Sequence, residues 1–176
     1  MSDRDFRVRR LHRPTEAEVA GLVDVLTACV EGGASVSFML PLSRERALSF
    51  WTTVARATEA GDRILLVAED EAGIVGTVQL ILCLPENQPH RVDVAKLLVH
   101  PRGRRRGIAA ALMQAADDAT LEAGRSLMVL DAVTGGDAAR LYERLGWVRA
   151  GDIPGFALYP DGGLCSTTFY YRQLGG

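Results

Sequence analysis

Residues 99–110, Val-His-Pro-Arg-Gly-Arg-Arg-Arg-Gly-Ile-Ala-Ala, hold the densest chemistry in the chain. An apolar run ends at Pro101, and a basic loop with two glycines follows. A helix is then expected to start near Arg106, with only small residues around Gly107 and Ala109. The N–H groups of a helix's first turn have no intrahelical acceptor, so they attract anions, and Gly and Ala let a diphosphate approach the main chain. The crowded arginines Arg102, Arg104, Arg105 and Arg106 add charge-assisted contacts. The loop therefore reads as a diphosphate cradle. A solvated basic run, a nucleic-acid phosphate site and a glycine kept for packing are competing readings of the same string. No Gly-Lys-Ser/Thr follows the glycines, which separates the loop from a Walker motif, and it is not GxGxxG.

Two carboxylates stand in otherwise apolar strands. Alternation places Asp93, Ala95, Leu97 and Val99 on one strand face. Asp93 reads as a catalytic or ligand-binding acid or as a strand-end partner of Arg91 or Lys96. Asp131 ends the apolar run 127–130, where open α/β sheets bind ligands. It reads as a site acid or as the entry to Thr134-Gly135-Gly136. Two acids facing one cleft would suit a cationic ligand, one as base and one as electrostatic anchor. His12, His90 and His100 have no metal-like spacing, and no metal is expected.

The elements that must hold these groups follow from periodicity and punctuation. A strand over 6–11 precedes a helix opened by the capping-box pair Thr15 and Glu18, with Val19, Leu22, Val23, Leu26 and Val30 at helical period and Gly32-Gly33 at its end. A second helix starts near Ser43, carries Ala47, Leu48, Trp51, Val54 and Ala55, and stops at Gly61. Strands at 64–69 and 74–83 flank a hairpin turn, and a third runs over 91–99. A helix over 106–122, a strand over 126–131, a short helix over 137–145, and strands at 147–150 and 167–172 complete the order β-α-α-β-β-β-α-β-α-β-β. Phe38 and Met39 are suited to an acceptor pocket, and Trp51 to amphipathic packing.

The totals narrow the function classes. At 176 residues the chain suits one domain, residues 1–176, with a real core. Its 48% apolar and 24% charged residues are those of a globular protein. A net charge of −2 gives no global attraction to nucleic acid or anionic membrane. The basic residues are uneven, with Arg4, Arg7, Arg9, Arg10 and Arg13 dotting the amino end. No membrane-length apolar run or signal core is present, and Cys29, Cys83 and Cys165 form neither a disulfide framework nor a zinc pattern. A cytoplasmic protein is expected.

Val99-His100-Pro101 followed by Arg104-x-x-Gly107-x-Ala109 resembles the acetyl-CoA-binding motif of the GNAT superfamily of N-acetyltransferases. Ala139-Arg140-Leu141-Tyr142-Glu143-Arg144-Leu145-Gly146-Trp147 is similar to the superfamily's second helix-and-strand element. The element order also matches over nearly the whole chain. The resemblance implies an α/β fold with a mixed, mostly antiparallel central sheet and flanking helices. Residues 32–39, Gly-Gly-Ala-Ser-Val-Ser-Phe-Met, with 151–156 and Pro160-Asp161-Gly162, further resemble the tabtoxin-resistance branch, whose members acetylate a small amino-acid-like toxin.

This resemblance implies direct acetyl transfer from acetyl-CoA, the co-substrate, to an amine in a ternary complex. Pantetheine would lie along the backbone of Leu97, Leu98 and Val99, where a splayed strand frees N–H groups. The diphosphate would fall on Arg105, Arg106, Gly107, Ile108, Ala109 and Ala110, with Arg104 close by. Tyr142 matches the tyrosine that protonates the departing thiolate; packing with Ala138, Leu141 and Leu145 is its other reading. Asp93 is expected as the base and Asp131 as the anchor. Many relatives carry Asn near Gly135, and that cofactor contact is not expected here. The expected partner is a small-molecule amine, with toxin or antibiotic resistance as the setting. Nucleic acid and membrane are not expected, and a homodimer is left open. Acetylation of a peptide amino terminus or lysine is the alternative class, and a non-catalytic CoA-binding regulator is another.

Overall fold

The computed structural model describes residues 5–175; Arg4 of the amino-terminal arginine group lies outside them. The chain forms β1 (Arg7–Leu11), α1 (Glu16–Glu31), α2 (Arg44–Glu59), β2 (Arg63–Asp70), β3 (Gly73–Ile81), β4 (Arg91–Val99), a 3-10 turn (Pro101–Gly103), α3 (Ile108–Glu122), β5 (Leu127–Val133), α4 (Asp137–Arg144), β6 (Val148–Leu158) and β7 (Leu164–Gln173). The strands make one seven-stranded sheet in the order β1-β2-β3-β4-β5-β7-β6. All neighbouring pairs are antiparallel except β4 and β5. α3 is the crossover that lets those two run parallel.

Local chemistry sets the helix starts. The Thr15 hydroxyl accepts from Glu18 N–H, while the Glu18 carboxylate accepts from Thr15 N–H at 2.7 Å. The Ser43 hydroxyl accepts from Arg46 N–H at 3.2 Å and opens α2. Helices cover both sheet faces, so β2 is a continuous apolar run rather than an alternating one. Ile64, Leu66 and Ala68 pack with Leu112, Met113 and Ala116 of α3, while Leu65 and Val67 pack with Leu22, Leu26 and Trp51 of α1 and α2.

Three expectations are corrected. β6 extends through Leu158, well beyond 150, despite Gly151, Pro154 and Gly155. It is the outer edge of the sheet, where a missing N–H is tolerated, and two register shifts against β7 absorb the irregular residues. β5 continues to Val133, so Asp131 lies inside the strand, opposite Phe169. β4 does not alternate simply. Leu98 pairs with Thr77 and Ala95 with Gln79, so Lys96 and Leu97 together oppose Val78. This bulge turns Leu97 and Val99 onto the α3 face with Val92 and Val94, and leaves Asp93 and Ala95 on the opposite one.

The loop after β4 is held from the β2–β3 turn. The Asp70 carboxylate, almost closed to solvent, accepts from Arg102 at 2.6 and 2.8 Å and from Arg106 at 2.8 Å. Arg102 also donates to the Gly73 and Ile74 carbonyls. The Arg102 bond, with Arg106 and the Ala72 N–H adding to it, holds the Asp70 pKa down at about 2. A carboxylate depressed on folding stabilises the native state above its unfolded pKa, and that stability is lost as pH falls through the folded value. Asp70→Asn should therefore lower Tm by a few °C (roughly 2–4 °C per kcal/mol lost) near neutral pH. In thermal scans the gap to wild type should close as pH falls from 3.8 towards about 2.

Candidate functional site

Gly103 and Gly107 shape the loop for different reasons. At Gly103 a Cβ would lie 2.4 Å from Val75 Cγ2, so the turn packs against β3 more closely than any side chain allows. Gly107 has φ +79°, in the left-handed region, and a Cβ there would meet nothing within 4 Å. Gly107 is the N-cap of α3 and no side chain caps the helix. The first-turn N–H groups of Ile108, Ala109 and Ala110 thus have no intrahelical acceptor and face open space. Arg104 and Arg105 are exposed beside them, Arg105 itself at φ +62°. The Arg106 guanidinium is clasped by Asp70 and by Asp5 at 2.7 Å. These pairs turn the Arg106 guanidinium towards carboxylates of the chain itself.

Behind the loop the sheet opens. β4 and β5 pair only at Arg91–Leu127, Val92–Met128 and Asp93–Val129, and have no ladder beyond. The bulge at Lys96 and Leu97, with Lys96 at φ +54°, bends β4 at the divergence. The β5-side main-chain groups of Leu97, Leu98 and Val99 therefore line a slot between two strands, reaching from the loop into the sheet. An extended chain of alternating amide and methylene groups could fill such a slot by strand-like hydrogen bonding.

On the α1–α2 face the slot meets a cavity of about 310 Å³ whose walls include Ser35, Ser37, Phe38, Met39, Asp131 and Phe156. Trp51 lies in the core instead. Asp93 and Asp131 share this face, since Asp93 stands level with Val129 in the parallel register. They are not equivalent. The Asp93 carboxylate is ion-paired to the Arg91 guanidinium, which also donates to Gln88 at 2.9 Å. Asp131 opens into the cavity. The desolvating walls push its pKa up, Lys96 opposes this, and the Asp93 charge adds to the rise.

Tyr142 approaches from the other sheet face. It is buried with Ala139, and its ring packs on Trp147 and Tyr170 at 5.7 and 5.9 Å. Ala138, expected on this face, is exposed, and Ala139 takes its place. Burial, with the Asp131 charge adding, raises the phenol pKa and keeps it protonated at neutral pH. Three features were not anticipated as site elements: Asp70, Ser37 and Lys96. Lys96 was legible as a lone cation in the apolar strand Val-Asp-Val-Ala-Lys-Leu-Leu-Val.

The family model described as "Acetyltransferase (GNAT) domain" matches residues 61–149, half of the chain. The chain belongs to the GNAT family of acetyltransferases. The matched segment runs from β2 through α4 and so contains the loop, the slot, both acids and Tyr142. Solved structures share the fold at low identity. A GCN5-related N-acetyltransferase from Kribbella flavida superposes with a TM-score of 0.79 at 23% identity, over 98% of this chain and 100% of its own. A ribosomal-protein-alanine N-acetyltransferase from Brucella melitensis gives 0.80 at 19%, over 96% and 99%. A protein assigned as an acetyltransferase from Salmonella typhimurium, solved with its cofactor acetyl-CoA, gives 0.78 at 18%, over 97% and 95%. As a GNAT protein the chain is an acetyl-CoA-dependent acetyltransferase.

The open side of Gly107 makes the loop testable without disturbing the core. Gly107→Val adds a β-branched side chain at positive φ, costing about 1–2 kcal/mol of backbone strain, and fills the approach to the α3 N–H groups. By calorimetry the folded variant should bind acetyl-CoA at least tenfold more weakly than wild type, about 1.4 kcal/mol or more. Equal affinity would remove the loop from cofactor binding.

Proposed function

We propose that residues 1–176 act as one catalytic domain that transfers the acetyl group of acetyl-CoA directly to a primary amine of a small amino-acid-like molecule. The observation that carries this reading is the cavity beside the unpaired end of β5, with an unbridged carboxylate, Asp131, in its wall. Loop 35–39 and strand β6, the segments that resemble the tabtoxin-resistance branch, line that one cavity. A peptide acceptor needs an open groove, whereas here Phe38, Met39 and Phe156 wall the pocket from two sides. The protein-acetylating name of the Brucella melitensis relative belongs to that protein's own acceptor. A role in toxin or antibiotic resistance, in the cytoplasm, is part of the same proposal.

In this reading the diphosphate rests on the N–H groups of Gly107, Ile108, Ala109 and Ala110, with Arg104 and Arg105 supplying charge. Arg106, its guanidinium paired to Asp70 and Asp5, contributes mainly through its main chain. Leu97, Leu98 and Val99 hold pantetheine along the slot and bring the thioester to the cavity. The geometry favours exchanging the roles expected of the two acids. Asp93 is engaged by Arg91 and acts as an electrostatic support, while Asp131 takes the proton of the incoming ammonium. The amine attacks the thioester carbonyl, the adduct nitrogen gives up its surplus proton to water, and collapse of the adduct breaks the C–S bond and releases the thiolate. Tyr142, on the opposite side of the slot, donates its phenolic proton to that sulfur.

Steady-state kinetics on an accepted amine separates these roles. Asp131→Asn should lower kcat by roughly 10²–10⁴-fold and leave the acetyl-CoA KM nearly unchanged. The raised pKa of Asp131 places the acid limb of kcat above the ordinary aspartate range, and the variant should lose that limb. Tyr142→Phe should lower kcat without the acid limb moving. Intact turnover in both variants would leave the fold standing and discard this chemistry.

A further inference from the structure

Of the three non-glycine residues at positive φ among the described residues, Arg105 lies in the cofactor loop and the other two, Ser37 and Lys96, touch each other. Left-handed backbone strains a residue with a Cβ, and a bulge that needs it is ordinarily given glycine. Lysine at the turning point of β4 implies that its side chain is required there. The Lys96 ammonium donates to the Ser37 hydroxyl at 3.1 Å and lies 5.8 Å from the centre of the Phe50 ring. Neither contact neutralises it. No carboxylate forms a salt bridge with it among the described residues, although Asp131 is close enough to act on its charge and Arg63 adds repulsion. Ser37 and Asp131 both line the cavity, so this cation, which forms no salt bridge, adjoins two of the cavity's lining residues.

Withdrawing an ammonium from water is costly unless an anion compensates it, and the neighbouring cavity has space for one. Resting on the acetyltransferase reading above, we propose that Lys96, with the Ser37 hydroxyl, is the specificity-determining anchor for a carboxylate of the acceptor. The preferred substrates are then zwitterions. Their carboxylate lies against Lys96 Nζ and Ser37 Oγ while their amine faces Asp131. One end of the cavity would carry positive charge and the other negative, with Phe38, Met39 and Phe156 around the substrate's side chain. Such a site rejects polyamines, whose second cation would meet Lys96, and rejects an internal peptide amine, which has no nearby free carboxylate.

The test uses matched pairs, each an L-amino acid and its α-amide, together with spermidine and a carboxyl-blocked tripeptide. Acetyl-CoA consumption is followed for wild type and Lys96→Met, with the acetyl-CoA KM of each as the control for an intact fold. Methionine keeps an unbranched side chain, one atom shorter, on the same strained backbone and removes the ammonium with its charge and its hydrogen bond to Ser37. Wild type should favour the acid over its amide by roughly 10–100-fold in kcat/KM, mainly through the acceptor KM. Lys96→Met should bring that ratio close to one. Two results would overturn the anchor while leaving a small-amine acetyltransferase in place: wild type that accepts amides or spermidine as readily as acids, or a variant that keeps the preference. Turnover of the tripeptide alone, or of nothing in the set, would overturn both. The wild-type comparison decides the matter even if the variant fails to fold.

Discussion

Two parallel strands that pair over three residues and then part are the constraint from which this site follows. A sheet interior normally satisfies both edges of every strand, and leaving main-chain groups unpaired there is costly. β4 and β5 accept that cost beyond Asp93 and Val129. The bulge at Lys96 and Leu97 makes the parting abrupt, and the α3 crossover holds the two strands in one sheet below it. The result is a slot with hydrogen-bonding walls, ending outside at the uncapped start of α3 and inside at the cavity. Loop and slot are therefore one feature: the same strand that diverges also delivers the chain to Gly107.

Electrostatics divides the site into cation-held and open groups. Asp70 ties Arg102 and Arg106 to the β2–β3 turn, so their charge fixes the shape of the loop, while Arg104 and Arg105 stay exposed. Asp93 is held by Arg91, whereas Asp131 is left facing the cavity. Tyr142, buried from the other side, keeps its proton. In the proposed reading these two groups serve as proton acceptor and proton donor on opposite sides of the slot, the polarity that acyl transfer from a thioester to an ammonium requires. The proposed division of work between the two acids rests on their unequal partnering rather than on their presence.

Much of this was legible in the residues, for identifiable reasons. Element order, the Thr15–Glu18 cap, the α1 stripe and the basic loop with its glycines are local signals, and local signals survive folding. Strand β6 was cut short because Gly151, Pro154 and Gly155 argue against a strand unless its position at the sheet edge is known. The β4 faces were misassigned because a bulge changes alternation without altering composition. The division of labour between Asp93 and Asp131 depends on which cation reaches which acid. Arg91 lies two residues from Asp93 and was foreseen as one of two partners; geometry chose it. Asp70 and Ser37 became site residues only through contacts dozens of residues away in sequence.

The central claim is that the unpaired edges between β4 and β5 and the uncapped first turn of α3 are completed by the cofactor. Amide hydrogen exchange with and without saturating acetyl-CoA measures this directly, since a main-chain N–H that gains an acceptor exchanges more slowly. The account predicts slowing concentrated in residues 97–99 and 107–110, with β1 and the outer strand β6 unchanged. Slowing confined to other segments, or none in these two under saturating cofactor, would contradict it.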